Sequence, residues 1–187
     1  MNNTTDFHSK HGITSMKRLL DLIYIAMFTA IITVSAQIAI PTAIPFTLQT
    51  LGVFVTGAML GWKRGSISVC IYILLALIGV PVLAGLSGGV DKVVGITGGY
   101  LVGFIFTALI VGLMTDILGR KLWVLVLSMI LGLAVCYLFG TVWFCIVSKT
   151  AFWEALIICV VPYLLFDALK IAVATVLVNR LDKVVRL

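Results

Sequence analysis

The sequence predicts an all-α integral membrane protein that crosses the bilayer six times, on three observations. Of its 187 residues, 62% are hydrophobic and only 11% charged, where a soluble domain carries about 25% charged residues. The mean hydropathy is +1.24, and the apolar residues fall into runs of a length suited to a hydrocarbon core that takes about 20 helical residues to cross. The basic residues sit as short pairs at the ends of those runs, which is the distribution of topology signals. Spanning segments must satisfy their own backbone polar groups, leaving helices or a closed barrel. Barrel strands alternate apolar and polar residues over about ten positions, whereas these runs are apolar all round, so the spans are helices. The net charge of +6 without a basic patch argues against nucleic acid as a partner; the lipid bilayer is the surrounding medium.

Residues 1–16 form a polar N-terminal tail, expected to be loosely attached, and 17–187 a single transmembrane domain. His8 and His11 in the tail read as solvated rather than metal-binding. The tail leads into a run long enough to be the first span, so a cleavable signal peptide is not expected. The first span follows Lys17-Arg18 and covers about 19–37; its Ala26 and Ala30 form a small-xxx-small pair that permits close helix approach. An uncharged connection carrying Pro41 and Pro45 leads to a second span over about 47–60. Gly61-Trp62-Lys63-Arg64-Gly65 makes a short basic turn before the third, about 66–80, which stops at Pro81. Residues 81–99 are the longest polar connection, with six glycines that permit positive φ and close approach. A connection of this length is a functional lid or binding loop, or else disordered. The fourth span covers about 98–114, the fifth about 122–139 and the sixth about 155–178.

Counting Lys and Arg gives the orientation. Ten stand at the N-terminus, in the 61–65 and 116–121 turns and at the C-terminus; two, Lys92 and Lys149, stand in the alternate connections. The positive-inside rule then places both termini in the cytoplasm. The prolines and the glycine-rich loop fall toward the outer side.

The sixth span holds Asp167 and Lys170, three apart and therefore on one helix face. A charge at membrane depth costs roughly 2.5–3.5 kcal/mol on insertion scales, so the two either neutralise each other as a structural pair or jointly offer an acceptor and a donor to a polar ligand. Gln49 adds an amide near the same level, as an interhelical hydrogen bond or a ligand contact. Ser87, Thr97 and the amides of Gly88 and Gly89 could reach a ligand beneath the loop, and Tyr100, Phe46, Tyr163 and Trp143 could wall it. Cys70, Cys136, Cys145 and Cys159 lack CxxC spacing and read as small core hydrophobes. There is no Walker A signature, no Ser-His-Asp set and no metal cluster, so no catalytic residues, metal or cofactor are assigned. Without a catalytic set, an intramembrane enzyme is a poor reading, and a purely structural subunit would leave Asp167, Lys170 and the loop idle.

On these residues the chain resembles the BioY family, the biotin-specific substrate-binding (S) components of energy-coupling factor (ECF) transporters. The resemblance is carried by Pro45-Phe46-Thr47-Leu48-Gln49-Thr50-Leu51, Leu77-Ile78-Gly79-Val80-Pro81-Val82-Leu83-Ala84-Gly85, Gly88-Gly89, Gly95-Ile96-Thr97-Gly98-Gly99-Tyr100 and Pro162-Tyr163-Leu164-Leu165-Phe166-Asp167-Ala168-Leu169-Lys170, and spans about 20–180. It implies a six-helix subunit that binds biotin from outside and pairs with a transmembrane coupling subunit and two ATPase subunits. Asp167 and Lys170 match the family's ligand-contact positions, the glycine-rich loop its lid, and Ala26 and Ala30 the surface that meets the coupling subunit. The same fold binding another small vitamin is the nearest alternative. Departures from the family's usual pattern are Leu165-Phe166 before Asp167, which implies a straighter sixth helix, together with Ile96, Ser87 and Leu101.

Overall fold

The computed structural model describes residues 3–40 and 46–184, with side chains from residue 16 onward. Pro41 and Pro45 lie outside the described residues. Helix α1 (Asn3–Gln37) continues the first span back through the polar tail as helix. A two-residue hairpin, β1 (Ala39–Ile40) with β2 (Phe46–Thr47), follows in antiparallel register, Ala39 opposite Thr47. Next come α2 (Gln49–Leu77), a short α3 (Val90–Val93), α4 (Gly98–Leu118), α5 (Leu122–Ser148), α6 (Phe152–Cys159), a 3₁₀ turn (Val161–Tyr163) and α7 (Leu164–Val184).

Gly61 breaks α2 into two antiparallel arms. It takes φ 74°, ψ 179°, a region open essentially to glycine alone. A straight helix would separate residues 57 and 65 by about 12 Å, yet a Cβ on Gly65 would stand 3.1 Å from the Gly57 Cα. At the far ends of the arms, the Gln49 amide hydrogen-bonds the Tyr72 hydroxyl. Among the described residues five helical segments, with Phe152–Val184 taken as one, are long and apolar enough to cross a membrane; because Gly61 folds α2 back on itself, they make six helical legs. The turn is held from outside: the Trp62 amide donates to Asp116 Oδ2 at 3.0 Å. Arg120 donates to the carbonyls of Ala58 and Met59 at 2.8 and 2.7 Å, and pairs with Asp182 at 2.5 Å. These groups satisfy carbonyls and an amide that helix ends leave without partners.

The 49–60 arm is the central post, buried almost throughout, with α1, α4 and α7 packed around it and α5 behind α4. One apolar cluster, including Phe54, Met59, Val111, Met129 and Ile171, fills the end near Gly61. A second, including Ile32, Tyr72, Leu83 and Phe104, lies under the loop. The outer faces of α1, α5 and α7 expose rows of Leu, Ile and Val, an apolar surface far beyond what a water-soluble monomer tolerates and suited to lipid.

Three expectations are corrected. The fifth span runs to Ser148 rather than ending near 139, and the fourth to Leu118 rather than 114. The sixth span is not one straight helix: it breaks between Cys159 and Leu164. Pro162 causes this, since it lacks an N–H and its ring clashes with the carbonyl four residues earlier. The break opens a new helix N-terminus, and Asp167 sits in its first turn, where a negative charge is favoured by the helix dipole.

Candidate ligand-binding site

A cavity of about 340 Å³ opens at the loop end of the bundle, between α2, α4, α5 and α7. This volume lies in the usual range for a small-molecule site. Its polar floor comes from Thr47 on β2, Gln49 and Thr50 at the start of α2, Tyr137 on α5, and Asp167 and Lys170 on α7. Its apolar flanks are Leu101 and Phe104 on α4 and Leu133 on α5, and its loop side is Leu83, Ala84, Ser87, Lys92 and Thr97.

Asp167 and Lys170 are 4% and 7% exposed. Lys170 Nζ donates to Asp167 Oδ1 at 2.7 Å and to the Thr50 hydroxyl at 3.2 Å, and lies 5.2 Å from the centre of the Phe46 ring. The Tyr137 hydroxyl donates to Asp167 Oδ2. A carboxylate offers about four acceptor sites and an ammonium three donors. Asp167 therefore retains acceptor capacity toward the cavity, while two of the three Lys170 protons are committed. Gln49 is held at both ends: its Oε1 accepts from Thr47 at 2.8 Å and its Nε2 donates to Tyr72. The interhelical hydrogen bond and the cavity position thus coexist.

The loop is anchored rather than loose. Gln37, the last residue of α1, donates to the carbonyls of Val82 and Leu83 and accepts from the Leu86 amide at 3.0 Å. Leu83 and Ser87 form a bridge, and Trp143 donates to the Gly95 carbonyl at 2.9 Å. Trp143 is thus a support for the loop and not a cavity wall. Tyr163 lines the cavity and stacks on Phe46, centroids 4.8 Å apart, which pins β2 to the 3₁₀ turn that precedes α7.

The structure brings Gln49, Ser87, Thr97, Tyr100, Asp167 and Lys170 to one cavity. Gly88 and Gly89 are not among its lining. A Cβ at Gly88 would collide with the Val80 carbonyl, and the Gly89 amide donates to the Ala76 carbonyl at 2.7 Å, so both serve to seat the loop on the end of α2. Ala26 and Ala30 are exposed on the outer face of α1, which removes the reading of internal helix packing. Sequence reasoning missed Thr50, Tyr137, Lys92 and the pair Cys136 and Cys159. The signal was present for α4 and α5: Thr97, Tyr100, Leu101 and Phe104, and likewise Leu133, Cys136 and Tyr137, recur at helical spacing along one face.

A multi-pass membrane protein with a polar-floored cavity set among its helices is the class that this fold and site define. The chain belongs to the BioY family, whose family model matches residues 5–187. It is 39% identical over 168 residues to the biotin transporter BioY of Thermotoga maritima, covering 87% of this chain and 95% of that protein. It is 38% identical over 159 residues to the probable biotin transporter BioY of Pyrococcus horikoshii, with 84% and 93% covered. Among solved structures it is similar to the S-component for biotin from an ECF-type ABC transporter, with a TM-score of 0.83 and 31% identity, covering 89% of this chain and 93% of that one.

Proposed function

We propose that this chain is the biotin-binding S component of an ECF transporter in the cell membrane. The observation that carries the reading is the distribution of chemistry in the cavity: a buried acceptor at the floor, amide and hydroxyl groups beside it, and apolar flanks above. Biotin presents two ureido N–H donors and a carbonyl at one end, an apolar ring and valeryl chain, and a carboxylate at the other. Asp167 accepts from the ureido N–H groups, with Tyr137 and Lys170 holding the carboxylate in place. Gln49 lines the same cavity and could hydrogen-bond the ureido group. Charge-assisted hydrogen bonds of this kind contribute about 1.5–3 kcal/mol each.

The relatives' names and the structural neighbour support biotin as the substrate and an ECF module as the partner. The finer parts of the proposal are a transmembrane coupling subunit, two ATPase subunits that carry the hydrolysis, cytoplasmic termini, and no cofactor bound by this chain. The coupling subunit docks on the α1 face that carries Ala26 and Ala30, both exposed. Replacing both with Trp is expected to abolish uptake by the assembled transporter while leaving biotin binding intact; unchanged uptake would overturn this docking face.

Equilibrium binding of biotin to the purified protein in detergent, with thiamine and riboflavin as controls, tests the substrate. Selective binding of biotin is expected. Selective binding of another vitamin would retain the fold and overturn the substrate, and failure to bind any of them would return Asp167 and Lys170 to a structural role.

A further inference from the structure

The charged groups that line the cavity do not balance. Among the described residues they are Asp167, Lys170 and Lys92, one carboxylate against two ammonium groups. Lys170 is the matched one: it is buried, pairs with Asp167, donates to Thr50 and lies over the Phe46 ring. Lys92 is different on every count. It stands on α3 in the loop, is exposed, and has no salt bridge or side-chain hydrogen bond among the described residues, although it lines the same cavity. Its neighbour Asp91 does not line the cavity. One end of the site therefore carries an internally neutralised pair, and the other a single cation without a counter-charge. Leu101, on the α4 wall, is apolar and buried and supplies no alternative cation.

We propose that Lys92 is the residue that pairs with the anionic end of the ligand, so that the site selects a molecule with a neutral hydrogen-bonding head and one negative charge at the mouth. The inference rests on the biotin reading and deepens it: the head meets Asp167 on the floor, the carboxylate meets Lys92 at the rim, and Lys170 serves Asp167 rather than the carboxylate. The rim position keeps the carboxylate partly hydrated, so its burial is not costly. It also makes the contact an exposed ion pair of modest strength that salt will screen.

The test compares biotin with biotin methyl ester, in the wild type and in Lys92→Gln and Lys92→Arg, by equilibrium binding in detergent. The wild type is expected to prefer the acid by about twofold to fivefold at low salt, the range of an exposed ion pair. Lys92→Gln is expected to lose that preference while keeping the ester's affinity, and Lys92→Arg to retain it. The preference should also shrink as salt is raised toward 1 M. An acid-over-ester preference that survives in Lys92→Gln, or a variant that weakens both ligands equally, would overturn the assignment while leaving biotin as the substrate. A wild type that binds neither ligand would instead overturn the biotin reading itself.

Discussion

Two clusters of charge sit at opposite ends of this bundle, and they do different things. At the Gly61 end, Asp116 accepts from the Trp62 amide, and Arg120 donates to the Ala58 and Met59 carbonyls and pairs with Asp182. Asp116 and Arg120 there answer backbone groups at the ends of a helix, and Asp182 steadies Arg120. At the loop end, the Asp167 and Lys170 side chains are satisfied by each other and by the side chains of Tyr137 and Thr50 rather than by backbone groups, and they face a cavity. A buried or half-buried ion is thus not in itself a site. What separates the two clusters is whether the partners are backbone groups that any turn must satisfy or side chains brought from several helices.

The comparison is broken most directly at Asp167. Asp167→Asn is expected to weaken biotin binding by about 2–4 kcal/mol, because it removes a charge-assisted acceptor and leaves Lys170 buried without its counter-charge. Isothermal titration would read this, and unchanged affinity would make the pair structural after all. Gly61→Ala should act on the other end alone. A Cβ there would stand 2.6 Å from the Asp116 carboxylate at a φ of 74°, so a loss of about 2–3 kcal/mol of stability should appear as a lower melting temperature in detergent, with biotin affinity unchanged in the folded fraction. Arg120→Met, which orphans two carbonyls, should cost about 1–3 kcal/mol of stability by the same measurement. Tyr137→Phe is the finest probe: it removes one neutral donor to Asp167 and should weaken biotin by about 1 kcal/mol without lowering the melting temperature by more than a degree or two. A large fall in melting temperature there would move Tyr137 to the structural side of the comparison.

How much of this could be read beforehand follows the same division. The six spans were legible because lipid forces apolar runs of a set length, and the Gly61-Trp62-Lys63-Arg64-Gly65 turn marked where one run folds back. Asp167, Lys170 and Gln49 stood out because a polar group in such a run is conspicuous. Tyr137 and Thr50 were not conspicuous: a tyrosine or threonine in an apolar helix is ordinary, and their partners lie 30 and 120 residues away. The interruption at Pro162 was missed even though the proline was in view, because the run around it stays apolar and hydropathy is blind to backbone geometry. Gly88 and Gly89 failed in the opposite direction. Their amides were expected to reach a ligand beneath the loop, but the surface that approaches them is the protein's own, at Val80 and Ala76.

The short inner arm of α2 has a consequence for the dielectric around the site. Residues 49–60 rise only about 18 Å, against a hydrocarbon core about 30 Å thick. With Lys63, Arg64 and Arg120 keeping the Gly61 turn at one interface, Gln49 and the cavity floor are left well below the other. Irregular backbone at that depth is tolerated only against protein or a water-lined cavity, and here the anchored 81–99 loop, tied to Gln37 and to the end of α2, takes the place of the missing helical turns. A ligand on the floor would then meet Asp167 and Lys170, already 4% and 7% exposed, at a level of the bilayer where any remaining water is displaced and the local dielectric falls. Each charge in the pair would depend more strongly on the other there, so the shortness of one helical arm sets how tightly the two must stay matched.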